Sequence, residues 1–322
     1  MAVVADFAKR SMYPWLGSGI FYWPTVLPIN VNSRTRIAFG HGVFVVTANT
    51  GVLSCTAWGY DGITWHPVNA ANANTWVDIA YGNGVFIAIS SNNVAGNQIM
   101  RSVDSGKSWT AVAAPNAITY TAICYCGGSV WMACAQNGGA AIQFIRSTDN
   151  GLTWGVIAAP AGIAYQSIHS DQQGNVISVA SSGVGNQVAQ SADYGASFNG
   201  RLEAINTTHT EVRMNQRIAI AVNSAAGGTY MYSLDSGVNW IAGAIATQSM
   251  LTLLYTEELD RWTTMSNVGT GFHLNGSLDG ISWVELSSVL TSGLGPRITG
   301  MAYGNGRHVA VGYNASTSVF IS

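Results

Sequence analysis

Six aspartates recur in one pattern along this 322-residue chain: Asp61, Asp104, Asp149, Asp193, Asp235 and Asp279. Each lies one or two positions before a glycine and four or five before a tryptophan or phenylalanine, as in RSTDNGLTW at 146–154. A carboxylate can act as acid, base, nucleophile or metal ligand. Glycoside hydrolysis asks for two of them across a cleft. An active site does not need the same group six times, however. The serine and aspartate before the glycine can close a turn on themselves, with hydroxyl and carboxylate bonding to nearby backbone amides. The six aspartates therefore read as structural turn clamps.

The acids outside this pattern are few: Asp6, Asp78, Asp171, Glu203, Glu211, Glu257, Glu258, Asp260 and Glu285. The six histidines show no HExxH spacing, and no GxSxG, phosphate loop or dinucleotide fingerprint occurs. No catalytic residue, metal or cofactor is expected. The four cysteines, Cys55, Cys124, Cys126 and Cys134, lack paired CxxC spacing. They read as buried free thiols, with a metal site or disulfide as the alternatives. Cys124 and Cys126 stand two apart on an expected strand and so share a face.

The elements that carry these residues repeat. The aromatic residues closing the aspartate pattern, Trp65, Trp109, Trp154, Phe198, Trp240 and Trp283, are spaced 42 to 45 residues apart. A second pattern runs in phase: IAFGHGVFVVTA at 37–48, IAYGNGVFIAIS at 79–90 and MAYGNGRHVAVGY at 301–313, with four weaker copies between. Each is an apolar strand, a tight turn whose residues accept positive φ, and a second apolar strand. Four strands per unit at this period is a propeller blade. The fold expected is all-β: one seven-bladed β-propeller of four-stranded antiparallel blades over 21–322. Its last blade would join 297–322 to 21–30, with Trp23 taking the place of the seventh turn tryptophan. Residues 1–20 would form an N-terminal arm.

Three positions before the strand isoleucine, successive units carry Arg34, Trp76, Tyr120, Tyr165, His209, Met250 and Ile298. This row is expected to ring one mouth of the central channel, where aromatics suit a sugar face or a protein partner. Packing between blades is the other reading. Arg36 and Asp78 occupy equivalent places in adjacent blades and are expected to form an ion pair. Asp78 and Glu211 are the acids at first-strand starts, in blades that are not neighbours. Glu257, Glu258 and Asp260 crowd one turn at the opposite face and read as a solvated charged turn.

Composition narrows the partners. Hydrophobic residues make up 48% of the chain and charged residues 9%, with a formal net charge of −2 and lysine only at positions 9 and 107. No basic stripe exists to neutralise phosphates, so no nucleic-acid partner is expected. No apolar run is long enough for a membrane helix, and Asp6, Lys9 and Arg10 interrupt what would be the core of a signal peptide.

The Ser-x-Asp-x-Gly-x-Thr-Trp turn resembles the Asp-box, or bacterial neuraminidase repeat, over about 300 residues. That resemblance implies a propeller whose box turns lie away from the usual active site. It does not imply one activity, because the box occurs in sialidases, in receptors, in an assembly factor and in phage structural proteins. A sialidase would need an arginine triad, a Tyr–Glu nucleophile pair and an acid aspartate. The Phe-Arg-Ile-Pro motif is missing, and Arg297 in GPRIT is its nearest echo. Low charge, few lysines and the GNGVF hairpins also resemble propellers of tailed-phage particles. The expectation is therefore a non-enzymatic structural or binding protein of a virion, assembled in the bacterial cytoplasm. It would contact other virion proteins, with the arm 1–20 as a docking segment, or a host surface glycan. A lectin-like propeller and a sialidase-like hydrolase stand as alternatives.

Overall fold

The computed structural model describes residues 21–22, 35–92, 96–181, 186–223, 228–245, 249–268, 271–287, 298–312 and 317–321. These form a β-propeller of four-stranded antiparallel blades. Six sheets each come from one contiguous stretch. Blade 1, for example, runs Thr35–Gly40, Val43–Ala48, Thr56–Gly59 and His66–Val68 in sequential order. The first strands of blades 2 to 6 are Trp76–Gly82, Tyr120–Gly127, Tyr165–Ser170, His209–Met214 and Ser249–Thr256. A further, composite sheet orders Ile298–Gly304, Arg307–Gly312, Thr317–Ile321 and Phe21–Tyr22, with Phe21 opposite Phe320 and Tyr22 opposite Val319. Trp23, the rest of 23–34 and the arm 1–20 lie outside the described residues.

Local chemistry explains the hairpins. His41 and Gly42 stand at φ +53° and +75°, Asn83 and Gly84 at +44° and +79°, and Asn305 and Gly306 at +50° and +72°. Two successive positive-φ residues make the turn whose twist matches the flanking strands. The second strands are buried on both faces, without a break over Val43–Ala48 and Val85–Ser90. A sheet covered on both sides requires such continuous apolar runs.

The recurring aspartates close their own turns. Ser147 Oγ donates to Asp149 Oδ1 at 2.7 Å and accepts from the Gly151 amide at 2.9 Å. The same carboxylate oxygen accepts from the Leu152 and Thr153 amides at 3.1 and 2.9 Å. Asp104, Asp193, Asp235 and Asp279 repeat the arrangement. Asp61 has no serine before it, yet still takes the Ile63 and Thr64 amides at 2.8 and 2.7 Å. Burial raises the Asp149 pKa, but the Thr153, Ser147 and Leu152 bonds outweigh it and bring it to about 2. Asp279 reaches about 2 in the same way.

The turn glycines have a second task. A Cβ on Gly106 would lie 2.7 Å from Cγ2 of Val45 in the preceding blade. Gly151 meets Ile87, Gly195 meets Met132, Gly237 meets Ile177 and Gly280 meets Ile220, each one blade back. Gly62 of blade 1 meets Val309 of the composite sheet at 2.5 Å. Every described aspartate turn is therefore a seat for the neighbouring blade. On the inner side, Gly40 lies against Tyr81, Gly82 against Tyr125 and Gly304 against Phe39, so that flat glycine surfaces receive aromatic rings.

Two expectations follow. Gly84 and Gly106 share nearly the same φ, +79° and +80°, but nothing surrounds Gly84 while Val45 crowds Gly106. Gly84→Ala should cost about 1–2 kcal/mol from backbone strain alone, and Gly106→Ala a further ~1–3 kcal/mol from overpacking. Urea midpoints of the two variants measure the difference. The depressed Asp149 and Asp279 values stabilise the fold above the ordinary aspartate range, and that stability is lost as pH falls toward about 2. The urea midpoint should fall between pH 4 and pH 2, and Asp149→Ala with Asp279→Ala should flatten that fall.

Candidate functional site

The first strands stand side by side around the axis, each packed on the next, with Ile298–Gly304 against both Ser249–Thr256 and Thr35–Gly40. Their starts surround one mouth of the channel and their ends the other. The mouth at the starts opens into a cavity of about 520 Å³. Its wall draws on all six contiguous blades and on the composite sheet, and is rich in hydroxyls and amides: Thr121, Gln136, Gln166, Ser181, Thr210 and Thr299 among them, with Arg36 and Glu211.

The row expected to ring this mouth is divided: Tyr120, Met250 and Ile298 lie on the cavity wall, whereas Trp76, Tyr165 and His209 do not. Trp76, Tyr120, Tyr165 and His209 are fully buried, as is Met250, and Ile298 is nearly so. Trp76, Tyr120 and Tyr165 sit in the apolar clusters within and between blades. Trp76 Nε1 donates to the Asn72 carbonyl at 3.3 Å, which ties it to the loop entering its own strand. Burial also pulls the His209 pKa down and favours neutral imidazole. Arg34 lies outside the described residues.

The reason is a β-bulge. Pairing with the second strand skips one residue after Trp76, Tyr120, Tyr165, His209, Met250 and Ile298. A bulge re-aims the side chains around it. The skipped positions include Val77, Thr121, Gln166, Thr210 and Thr299, and all five of these line the cavity.

Below this mouth the channel holds charge. Arg36 Nε lies 3.8 Å from Asp78 Oδ1, within ion-pair range. Arg213 Nη2 lies 2.7 Å from Glu211 Oε1. The two carboxylates are 15% and 16% exposed, enough shelter for burial to dominate their titration. Burial raises Asp78, while Arg36, the Ile123 amide and Arg213 pull it back; the result is still a raised value. Burial raises Glu211 too, against Arg213, Arg36 and the Leu253 amide, with Asp78 pushing it further up. Groups from blades 1, 2 and 5 therefore share one electrostatic environment.

Each carboxylate also holds its neighbour. Asp78 Oδ2 accepts the Ile123 amide of blade 3 at 2.9 Å, and Glu211 Oε2 accepts the Leu253 amide of blade 6 at 3.1 Å. Ser167 Oγ does the same for Val212 at 3.1 Å, and His169 Nδ1 for Met214 at 3.2 Å. These side chains satisfy innermost amides that no strand of their own sheet reaches. Arg213 and His169 escape a search for catalytic motifs. Their signal is positional: they stand where other blades carry Ala38, Ala80 and Ala302.

All four cysteines are buried and free. Cys124 and Cys126 bring their sulfurs to 3.7 Å on one face, and burial pushes the Cys134 thiol up to about 12. Among the described residues no group of three or more His, Cys, Asp or Glu is placed to hold a metal ion, and no helix is long and apolar enough to cross a membrane.

Neither a protein-family model nor a curated protein sequence matches the chain. Solved structures do. One is YCF48 bound to D1 peptide, at 13% identity and TM-score 0.70, covering 95% of this chain and 96% of that one. Virginiamycin B lyase from Staphylococcus aureus gives 11% identity and TM-score 0.74 over 95% of this chain and all of that one. A GH74 enzyme from Niastella koreensis gives 13% identity and TM-score 0.68 over 92% of this chain, which spans about half of that enzyme's length. At these identities the likeness is one of fold, shared by enzymes and a peptide-bound protein alike.

If Asp78 serves mainly as an amide acceptor, Asp78→Asn should be mild, because the side-chain carbonyl can still take the Ile123 amide. Asp78→Leu leaves that amide without a partner and should cost about 1–3 kcal/mol more, read from urea midpoints. The raised Asp78 and Glu211 values stabilise the fold below the ordinary carboxylate range, and that contribution is lost as pH rises through them. Combining Asp78→Asn with Glu211→Gln should remove that dependence.

Proposed function

We propose that the chain is a non-enzymatic binding propeller and a structural component of a bacteriophage particle. The observation that carries the non-enzymatic part is the use of the channel acids. Asp78 and Glu211 are each committed to a guanidinium and to the next blade's amide. General acid–base work requires a carboxylate free to exchange its proton with substrate. The six turn aspartates are engaged by the amides of their own turns, which resemble the Asp-box. The composition and the GNGVF hairpins support the particle context by resemblance to tailed-phage propellers. In this reading the ring has seven blades, closed by 21–30 on 297–322 with Trp23 completing the last one, and the arm 1–20 docks on a neighbouring virion protein. A similar fold is bound to a peptide in YCF48, which supports protein contact as a use for such a ring.

One observation favours a second reading, glycan binding. The bulge positions turn Thr121, Gln166, Thr210 and Thr299 into the first mouth, with Arg36 and Glu211 at its base. Hydroxyls and amides around a polar cavity suit a sugar's donors and acceptors.

Purified tailed particles lacking this protein should bind it in a pull-down, and deleting residues 1–20 should abolish that binding. Undiminished binding of the truncated chain would remove the arm from the proposal. A glycan array separates the two readings, since recognition lost on Gln166→Ala with Thr210→Val would favour the lectin. Turnover of a fluorogenic sialoside, abolished by Asp78→Asn or Glu211→Gln, would overturn the non-enzymatic reading.

A further inference from the structure

The second mouth of the channel, at the ends of the first strands, opens into a cavity of about 690 Å³. Blades 1 and 2 and the composite sheet close their first hairpins here with the tight turns at Gly42, Gly84 and Gly306. Blades 4, 5 and 6 do not. Their hairpins read SDQQGN, NQR and TEELD, and the last contains a short 3-10 turn at Glu257–Leu259. These three irregular turns stand side by side and supply most of the cavity wall. The departures from the repeat are thus gathered at one place.

The wall has a charged floor and a charged rim of opposite sign. Arg213 is on the floor with a side chain 30% exposed. A guanidinium has five donors; Glu211 takes one, and the Val212 carbonyl a weak one at 3.4 Å. His169 lies beside it. Its Nδ1 accepts the Met214 amide, so in the neutral ring the proton is on Nε2 and the ring is a donor to the cavity. Burial first and Arg213 second pull the His169 pKa down, which keeps the ring neutral.

At the rim, Glu257 and Glu258 are exposed, and neither forms an ion pair among the described residues. The other charges are already matched. Arg217 pairs with Asp260, and Asp171 closes its own turn on the Gln173 and Asn175 amides at 2.8 and 3.0 Å. Between floor and rim stands Tyr255, whose hydroxyl donates to Asp260 Oδ1 at 2.6 Å, so the ring is held in place. Thr256 on the same wall keeps a buried hydroxyl with no hydrogen-bond partner among the described residues.

We propose that this second mouth binds a small dipolar ligand of the basic amino-acid class. Its carboxylate would lie on Arg213 and the Nε2–H of His169, and its cationic group on Glu257 and Glu258 over the Tyr255 ring. A guanidinium or ammonium is attracted by both a carboxylate pair and an aromatic face. A purely anionic ligand meets repulsion at the rim, and a purely cationic one meets it at the floor.

The test is calorimetric titration of the full chain with L-arginine, agmatine and L-citrulline. Agmatine lacks the carboxylate and citrulline lacks the cation. L-arginine should bind, with each analogue at least about tenfold weaker, the effect of one lost charged hydrogen bond. Glu257→Gln with Glu258→Gln changes exposed turn residues, so the urea midpoint should hold while arginine affinity falls about tenfold. Arg213→Lys should weaken arginine more than agmatine. No heat from L-arginine up to about 10 mM, the millimolar limit of specific small-ligand binding, would overturn the proposal. Equal binding of arginine and agmatine would overturn it as well, by removing the floor, and unchanged affinity in the double glutamine variant would do so by removing the rim.

Discussion

The seat that each aspartate turn offers to the preceding blade is the contact on which the rest of the molecule depends. Gly106 must adopt positive φ for its own turn and must also lack a Cβ so that Val45 can close on it. The carboxylate of Asp104 holds that turn in shape with the Ser102 and Ser108 bonds. A hydrogen-bonded turn in one blade thereby sets the packing distance to another. Because the contact recurs from blade to blade, and between Gly62 and Val309 of the composite sheet, a small error at one seat is passed to every blade after it. Repetition at this position follows from that geometry and not from chemistry done on a ligand.

The same spacing constrains the channel. First strands that crowd around an axis leave their inner amides facing neither a sheet partner nor bulk water. Asp78, Ser167, His169 and Glu211 supply acceptors to the next blade at those points. Two of these acceptors bring negative charge into a sheltered space, and Arg36 and Arg213 offset it. Removing a carboxylate leaves an arginine that is 30% exposed and still partly solvated, whereas removing an arginine strands a sheltered carboxylate at a cost of several kcal/mol. The charge in the channel is in this sense a consequence of how the blades are joined.

How much of this was legible in the sequence depends on how local each determinant is. The aspartate turns were fully legible, because Ser147, Asp149 and Gly151 satisfy one another within five residues. So were the hairpins at Asn83–Gly84 and Asn305–Gly306, where residue type and φ agree. Of the two readings of the Trp76, Tyr120, Tyr165 and His209 row, packing between blades describes these fully buried side chains, with Tyr120 also on the cavity wall; the bulge beside them, which turns the next residue toward the channel, was not legible. No single residue type marks that bulge: threonine fills it at 121, 210 and 299, but valine at 77 and glutamine at 166. The ion pair of Arg36 with Asp78 was legible from equivalent positions in adjacent blades. Arg213 and His169 were overlooked although the register exposes them, since both replace an alanine of the repeat.

That last point bears on where function sits in a ring of equivalent units. A side chain present in every blade is explained by what every blade must do, which is to fold and to meet its neighbour. A side chain present once is free of that demand, and its cost in desolvation or lost packing has to be met by something else. Arg213 answers part of this by holding Glu211, and His169 by accepting the Met214 amide. Neither duty requires the three irregular hairpins of blades 4, 5 and 6, although these also touch across the seams, Gln172 against Gly127 and Arg217 with Asp260. Those hairpins bring Glu257, Glu258 and Tyr255 over the one stretch of channel wall where a guanidinium and an imidazole stand in place of alanine. Broken symmetry on two separate levels, strand and turn, converges on one cavity, and the joining of blades accounts for only part of it.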